Sequence, residues 1–464
     1  MGRVILSIAT AMAVAIAPAL AGAQPAQPAP PAPRPPPQAT KPPGVEQATL
    51  ANGLRIAVLR NDAAPVVAVQ LWYRAGSKDE PRNRRGTAHM FEHIMFKGSK
   101  RVRADAHGQL VGALGGFAQA QTDEDATHYI DTLPAAYLDL AIQLEAERMR
   151  NLMFRPEAIA REREVMKDEL RQQDGAPLAK GFLRFLEVAF TKHPYAWVAG
   201  GNAKDLDAIA PDDLKRFYDA YYQPNNALLV VVGKTTLDAV KAAAERHFGP
   251  IPKAPEPPRP SLGAAEPPQQ ARRREVVEPG ALGLTFVGFH IPAAKDKDIY
   301  ALQVASMVLG VGESSRLKSR LKSTDPKTNP KRPYALDGGV EAVVREEPGI
   351  WAALGVYRDA AQAEGVEAVI LEEIGKLAAA GPTPDELRKA KNQVQSGFVF
   401  SLENAQGLAQ AIGRSWILVG DPGAFMRDVD EIEKLTAADV MRAAKQYLAP
   451  DKATIVVIPP RRAK

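Results

Sequence analysis

The chain of 464 residues contains no cysteine. A disulfide framework and a thiolate metal site are therefore both excluded, and a metal ion would have to be held by nitrogen and oxygen ligands. Charge of one sign is not in excess either, because 59 basic residues accompany 54 acidic ones and leave a net charge of +5. This balance, without any motif that combines aromatic and basic residues, argues against a nucleic-acid partner.

Long hydrophobic runs are also missing, with one exception at the N-terminus. Arg3 precedes an apolar run from Val4 to Ala17, and the small residues Ala21-Gly22-Ala23 follow. This order predicts a signal peptide over 1–23, cut after Ala23, and export to the periplasm or beyond. The alternative is a membrane anchor, but the run is shorter than the roughly 20 residues that span a bilayer. Without a cysteine behind it, lipid attachment is excluded.

The length predicts two cores of roughly 200 residues each. Proline and alanine dominate 24–43, which predicts a tether without a core, either disordered or extended. Proline clusters again over 250–274, which indicates an interdomain linker. The predicted folded domains are therefore 44–249 and 275–464.

Sequence patterns recur on both sides of this linker. Pro156-Glu157 before a long helical pattern resembles Pro384-Asp385, and the apolar run Ala227–Val232 resembles Ala453–Ile458. Asn52-Gly53 between two strand-like runs predicts a tight hairpin. Because hairpin signals dominate, we expect an α+β fold with two related units, each a mainly antiparallel sheet packed with helices.

The strongest chemical signal is His89-Met90-Phe91-Glu92-His93 within a predicted helix over 86–97. Residues four apart lie on one face of a helix with Cβ atoms roughly 6 Å apart, so both imidazoles can bind one ion. Glu92 lies over the same face without having to be a ligand. The order His-x-x-Glu-His is a catalytic metal motif. The alternative is a pair of surface histidines on a polar helix face.

A two-histidine site needs a third protein ligand and keeps one position open for water. The predicted helix over 156–173 offers Glu162 and Glu169, which lie two turns apart on one face. From spacing alone this is weak evidence, because a solvated helix face also carries glutamates.

Both motifs together resemble the pitrilysin type of zinc metallopeptidase (the inverzincins), in particular bacterial exported peptidases similar to mitochondrial processing peptidase. The resemblance rests on 86–99 around the histidines and on 162–169, and it covers most of both halves. It implies that Glu169 joins His89 and His93 in holding one Zn²⁺ per chain, with manganese and cobalt left open. Glu162 would be an accessory group that orients a ligand, or a purely structural residue.

The resemblance also implies a reaction. Glu92 would take a proton from a metal-activated water that attacks a peptide carbonyl, and would deliver it to the leaving amine. The stretch 115–122 resembles the family's edge strand, to which a peptide substrate adds as a further strand. Gln119 stands where the family usually has asparagine, so a side-chain contact to the substrate backbone from this position is in doubt.

The second half has no metal site of its own in this alignment. The positions that correspond to the ligands, the base and the accessory glutamate hold Leu302, Ala305, Ser306, Ala390 and Gly397. Arg316 and Tyr334 resemble the arginine and tyrosine that family members present to the substrate and the oxyanion from the second half. The two are further apart than usual, through an insertion around 324–333.

Family members with a single chain have four such units around a chamber, so two units imply a partner subunit. This partner would be a second copy of the chain or a paralogue. Overall, the sequence predicts a zinc endopeptidase or oligopeptidase for short or unfolded peptides. Two alternatives stay open: a non-catalytic scaffold or assembly subunit of the same fold, and a zinc enzyme for a non-peptide substrate.

Overall fold

The computed structural model describes residues 44–260, 265–326, 332–401 and 404–461. The predicted signal peptide at 1–23 and the predicted tether at 24–43 lie outside these ranges. Within them, no helix combines the length and the apolar character that crossing a membrane requires.

The first half is a sheet with helices against it. Its strands are β1 (Glu46–Thr49), β2 (Arg55–Arg60), β3 (Val66–Tyr73), β4 (Phe117–Thr122), β5 (Thr127–Pro134) and β6 (Ala227–Gly233). Its helices are α1 (Thr87–Ile94), α2 (Ala106–Ala113), α3 (Leu138–Asn151), α4 (Pro156–Asp174), α5 (Pro177–Ala189), α6 (Ala203–Ala208), α7 (Pro211–Tyr221) and α8 (Leu237–His247).

The first sheet has the strand order β1-β2-β6-β3-β5-β4, which leaves β4 at one edge. All neighbours are antiparallel except β2 and β6, and Asn52-Gly53 turns the predicted hairpin between β1 and β2. One face of this sheet forms the core with α1, because Tyr73, Tyr129 and Phe91 are fully buried together. The sheet therefore supports the histidine helix directly.

The second half contains the remaining elements. Its strands are β7 (Arg273–Val276), β8 (Gly283–His290), β9 (Thr324–Asp325), β10 (Arg332–Pro333), β11 (Asp337–Val343), β12 (Ile350–Tyr357) and β13 (Thr454–Ile458). Its helices are α9 (Asp298–Gly310), α10 (Arg316–Lys322), α11 (Ala363–Ala380), α12 (Pro384–Ser401), α13 (Ala405–Val419), α14 (Phe425–Lys434) and α15 (Ala437–Tyr447).

The two sheets repeat one topology. The second sheet has the order β7-β13-β8-β12-β11, which matches β2-β6-β3-β5-β4, and its single parallel pair, β7 with β13, matches β2 with β6. Pro156 and Pro384 each begin the long helix that the sequence predicts at that place. The predicted α+β fold with two related, mainly antiparallel units is confirmed.

The two halves exchange helices. Helix α5 of the first half packs on β8 and β13, whereas α13 of the second half packs on β3 and β6. Gly413 at the centre of α13 permits this contact, because a Cβ there would lie 2.1 Å from the Trp72 ring. Trp416 of the same helix is 1% exposed. Each sheet thus depends on the other half to cover one face.

The proline-rich segment between the halves contains neither helix nor strand over 250–259 and 265–272, and it is held at two points. Arg259 donates hydrogen bonds to the Arg74 carbonyl (2.8 Å) and to Asn226 Oδ1 (2.7 Å). Further on, the Glu266 carboxylate accepts the backbone N–H groups of Thr191, Lys192 and His193. The domain boundaries at this linker stay a prediction, and the contacts tie the linker to the first half.

Candidate metal centre

Helix α1 carries the two histidines and has a well-defined start. Gly86 adopts φ 92°, a left-handed conformation that glycine accepts without strain, and thereby turns the chain into the helix. The Glu80 carboxylate accepts the N–H groups of Gly86 (2.9 Å) and Ala88 (2.7 Å). Burial raises the pKa of Glu80, and its carboxyl group satisfies two amides at the helix start. Since His89 follows directly, Glu80 fixes the beginning of the ligand helix.

The three predicted ligands converge. The Nε2 atoms of His89 and His93 lie 3.3 Å apart, and Glu169 Oε2 on α4 lies 3.7 Å from the first and 3.8 Å from the second. In a tetrahedral zinc site with bonds of about 2.0–2.1 Å, neighbouring ligand atoms are separated by roughly 3.3 Å. The donor set and its spacing therefore fit a zinc ion, and these residues are the ones that would hold it.

His89 suits this role by its charge state and His93 by its orientation. Burial, together with the neighbouring His93, lowers the pKa of His89 to about 3, so its imidazole is neutral and able to bind a cation. His93 Nδ1 lies 3.1 Å from Glu162 Oε2. A carboxylate that accepts the Nδ1–H of a histidine leaves Nε2 unprotonated and directed at the metal. The orienting role for Glu162 is thus geometrically feasible.

Glu92 lies beside the ligands but reaches only one of them, with Oε2 3.9 Å from His89 Nε2. This Oε2 atom is buried and has no hydrogen-bond partner among the described residues. Burial raises the pKa of Glu92 to about 7, although a hydrogen bond with Thr122 acts in the opposite direction. A buried carboxylate with a free acceptor atom at this place can accept a proton from a water between it and the metal.

Lys97 is a site residue to which sequence reasoning assigned no role. Its Nζ atom lies 3.2 Å from Glu162 Oε1 and 3.0 Å from Asp105 Oδ1. Burial alone would raise the pKa of Glu162, but the hydrogen bond with His93 and the charge of Lys97 outweigh it and lower the pKa. Glu162 is therefore an anion held from both sides. The only sequence signal for Lys97 was its place near the end of the predicted motif helix.

A Glu162→Gln variant should keep the fold and weaken zinc binding by roughly 10–100-fold, because the amide neither carries the charge nor fixes the tautomer of His93. Zinc affinity would be measured by titration against a chromogenic chelator. The matched control is Glu164→Gln, on the exposed side of α4, where Glu164 pairs with Lys167. Equal zinc affinities in the two variants would mean that Glu162 has a structural role only.

The strand β4 lies next to this centre at the edge of the first sheet. The resemblance of 115–122 to the family's edge strand implies this position. It pairs with β5 on one side only and packs against α1. Thr122, the last residue of β4, is 2% exposed and lies at Glu92. Gln119 is half-buried near the middle of the strand. An edge strand beside a metal centre offers unpaired backbone groups to an extended peptide.

Arg316 and Tyr334 lie in the second half and have partners there. The Arg316 guanidinium donates to both carboxylate oxygens of Glu386 at 2.6 Å and to the Gly381 carbonyl at 3.0 Å. Tyr334 is 8% exposed, and the Arg320 guanidinium lies 4.7 Å from the centre of its ring. Neither Arg316 nor Tyr334 contacts His89, His93 or Glu169 of the same chain. The predicted roles of both residues therefore depend on a partner subunit.

A second group of ligand-type residues is buried below the first sheet. His107, Asp131 and Glu145 bring their ligand atoms within 4.8 Å of one another. Here, however, Arg148 forms an ion pair with Glu145, and His107 Nε2 lies 3.0 Å from both oxygens of Asp131. These carboxylates already have cationic or donor partners, so this group is a charge-balanced core network.

In the second half, α9 and α12 occupy the places of α1 and α4. Among the described residues, both groups that could hold a metal lie in the first half. Ser306 donates its hydroxyl to the Leu302 carbonyl within α9, and Ala390 is buried in the core. The second repeat has thus kept the architecture while carrying apolar and small residues at the corresponding positions.

Solved structures with this fold include a protease. A protease from Helicobacter pylori is 29% identical and covers 90% of this chain and 100% of its own, with a TM-score of 0.83. The M16 inactive-domain protein of Pseudomonas fluorescens is 20% identical, with a TM-score of 0.79 and coverage of 90% of this chain and 98% of its own, and shows the fold alone. The fold is that of two-domain peptidases of this class.

Family and sequence comparisons agree. The model for the insulinase family (peptidase family M16) matches residues 55–196, and the model for the M16 inactive domain matches residues 208–394. The chain belongs to the M16 family, whose relatives include named zinc proteases. Zinc protease PqqE of Helicobacter pylori is 29% identical over 90% of this chain and 93% of its own length. The mitochondrial-processing peptidase subunit beta of Lentinula edodes is 26% identical over 88% of each chain.

Proposed function

We propose that this chain is a zinc-dependent endopeptidase or oligopeptidase that hydrolyses peptide bonds of short or unfolded peptides. The observation that carries this proposal is the convergence of His89, His93 and Glu169 beside a buried Glu92 whose Oε2 has no described partner. Two imidazoles and a carboxylate are the ligand set of many zinc peptidases, and a nearby free carboxylate supplies the base.

In this reaction a bound zinc ion would supply a Lewis acid for the scissile carbonyl and a water of lowered pKa. Glu92 accepts the proton of the attacking water and then donates it to the leaving amine, so the same carboxylate serves as base and acid. Glu162 keeps the proton of His93 on Nδ1 throughout, while Lys97 keeps Glu162 charged.

The proposed substrate class follows from β4. A peptide that adds to the free edge of β4 must be extended. The strand can form backbone hydrogen bonds only with a segment whose own backbone groups are unpaired. Such pairing depends little on side chains, so we expect broad sequence tolerance. Gln119 stands in place of the usual asparagine and is one carbon longer, so we assign it no contact with the substrate backbone.

We further propose that two subunits, identical or paralogous, form the enzyme. Support comes from relatives: one is named a subunit of the mitochondrial processing peptidase. Another matching structure is the first half of the periplasmic protease PqqL of Escherichia coli, 18% identical over 91% of this chain and 93% of its own, with a TM-score of 0.71. Arg316 and Tyr334 would then act on substrate at the partner's metal, and Arg316 would exchange its pairing with Glu386 for the substrate.

We propose that the protein is periplasmic or secreted. It rests on the predicted signal peptide at 1–23, and the description of PqqL as a periplasmic protease supports it. The scaffold alternative retains one argument of its own, since part of this chain matches a domain described as inactive.

One experiment separates these possibilities. Purified protein is fractionated by size, analysed for zinc, and incubated with a mixed peptide library with and without a chelator. We expect about one zinc per chain in a dimer-sized fraction, with cleavage that the chelator abolishes and added zinc restores. Zinc without any cleavage would favour the scaffold, whereas cleavage that resists the chelator would contradict a metallopeptidase.

A further inference from the structure

The turn between β4 and β5, residues 123–126, is held rigidly at the end of the proposed substrate strand. Asp123 Oδ1 accepts the N–H groups of Asp125 (2.8 Å) and Ala126 (2.9 Å) within the turn. The backbone N–H groups of Ser77 and Lys78 donate to the carbonyls of Asp123 and Glu124, both at 3.1 Å. Movement of this turn would therefore move the end of β4.

A cluster of ion pairs, in which Glu346 is half-buried, joins this turn to the second half of the chain. Lys78 Nζ lies 2.8 Å from Asp125 Oδ1 and 2.6 Å from Glu346 Oε2, and the Glu346 N–H donates to Asp125 Oδ2 at 3.0 Å. Arg345 forms an ion pair with Glu124 beside it. We name these five residues the interdomain clasp.

The clasp is built around the charged pair Lys78 and Asp125. The Lys78 and Asp125 side chains are only 2% and 3% exposed. Burial alone would lower the pKa of Lys78, but Asp125 and Glu346 outweigh it and raise the pKa. Burial would likewise raise the pKa of Asp125, yet Lys78 and Arg345 lower it to about 2. Buried ion pairs add little net stability but penalise every arrangement that separates them, so they define geometry.

The second half reaches the same strand at another point. From α13, Arg414 Nη1 donates to Asp123 Oδ2 and Gln410 Nε2 donates to Gln121 Oε1, both at 3.3 Å. Contacts from two separate elements of the second half thus converge on β4 and its turn.

Strand β4, which these contacts hold, lies beside the proposed base Glu92. Thr122 ends β4, is buried, and lies at Glu92, while Thr127 across the turn donates its hydroxyl to the Ala75 carbonyl. Small displacements of the turn would change the position of the free edge of β4 relative to Glu92. Misplacement of a bound substrate by about 1 Å can cost roughly 100-fold in rate.

We propose that the metal-free second half positions the peptide-binding edge of β4 within the same chain, through the interdomain clasp. Lys78, Asp125 and Glu346 are positioning residues in this account, and none of them touches the metal ligands. This inference rests on the proposed peptidase function. It assigns the second repeat a task in its own subunit, in addition to any residue it presents to a partner.

The test compares Glu346→Gln with Arg273→Gln in the full-length protein. Glu346→Gln removes one of the three carboxylates near Lys78 and leaves Asp125 and Glu347 in place. Arg273 donates to the carbonyls of Val188 and Ala189, so Arg273→Gln weakens a contact between the halves that does not involve β4. Glu346→Asp, which keeps the charge, serves as the rescue variant.

For Glu346→Gln we expect unchanged zinc content, a KM for peptides raised roughly tenfold, and faster amide hydrogen exchange over 117–127. Arg273→Gln should lower the melting temperature without either change, and Glu346→Asp should recover most of the KM. Equal exchange rates and KM values in Glu346→Gln and the wild type would overturn the proposal. So would a lowered melting temperature as the only effect.

The exchange measurement does not depend on catalysis. If the wild-type protein cleaves no peptide, the proposed function fails while local loosening of 117–127 in Glu346→Gln still supports positioning by the clasp. If the wild type cleaves peptides and 117–127 exchanges equally in both proteins, the clasp proposal alone fails.

Discussion

The Glu92→Gln variant is expected to bind zinc as the wild type does and to lose at least about 100-fold in kcat for peptide cleavage. Glutamine has nearly the same shape but cannot accept the proton of the attacking water. Glu92 lies beside the predicted ligands, with a buried Oε2 atom 3.9 Å from His89 Nε2. The measurement pairs steady-state peptide cleavage with zinc analysis of the same sample.

The control for this experiment is the exposed glutamate Glu164, whose replacement by glutamine should change neither property. Because Glu92 acts on the chemical step, KM should change little while kcat falls. A zinc-loaded Glu92→Gln protein with wild-type activity would refute the assignment of the base. Loss of zinc in this variant would instead indicate that Glu92 is a ligand.

The Glu169→Ala variant is expected to lose its zinc, with an affinity loss beyond the roughly 10–100-fold that an outer-shell partner causes. Removing Glu169 leaves two imidazoles from one short helix, and the described residues contain no other group of three ligands that includes His89 and His93. Zinc content after dialysis and competition with a chelator provide the measurement, and circular dichroism checks the fold.

The neighbouring Asp168 is the matched control, because it is a carboxylate on the same helix with a 62% exposed side chain. Asp168→Ala should keep one zinc per chain and wild-type cleavage. If Glu169→Ala also keeps its zinc, the third ligand lies elsewhere, and Glu92 becomes the first candidate. Together, the Glu92 and Glu169 variants separate proton transfer from metal binding.

The two repeats share an architecture but differ at the positions of the metal site. Both halves present an edge strand beside a helix, β4 beside α1 and β11 beside α9, yet the described metal ligands lie in the first half alone. A repeat without a catalytic centre is free to vary at those positions as long as its core packs. Its helix α13 still covers one face of the first sheet, so the first half depends on this repeat.

Local sequence patterns by themselves determined much of this protein. The i, i+4 spacing places His89 and His93 on one face of α1, the Asn52-Gly53 turn joins β1 to β2, and paired proline signals mark the starts of α4 and α12. These features depend on backbone periodicity and on residues close in sequence, which is why they can be read without a structure. Glu169 lies between these two cases. Helix spacing made it a candidate ligand, and only the family resemblance distinguished it from other glutamates.

Tertiary structure alone decided the rest. Nothing local predicts that Lys97 holds Glu162, that Arg316 pairs with Glu386, or that α5 and α13 exchange sheets. Lys78 and Glu346 are separated by 268 residues and meet only in the folded chain. Charged side chains look alike along a sequence, and the packing of helices on sheets selects which of them become buried partners.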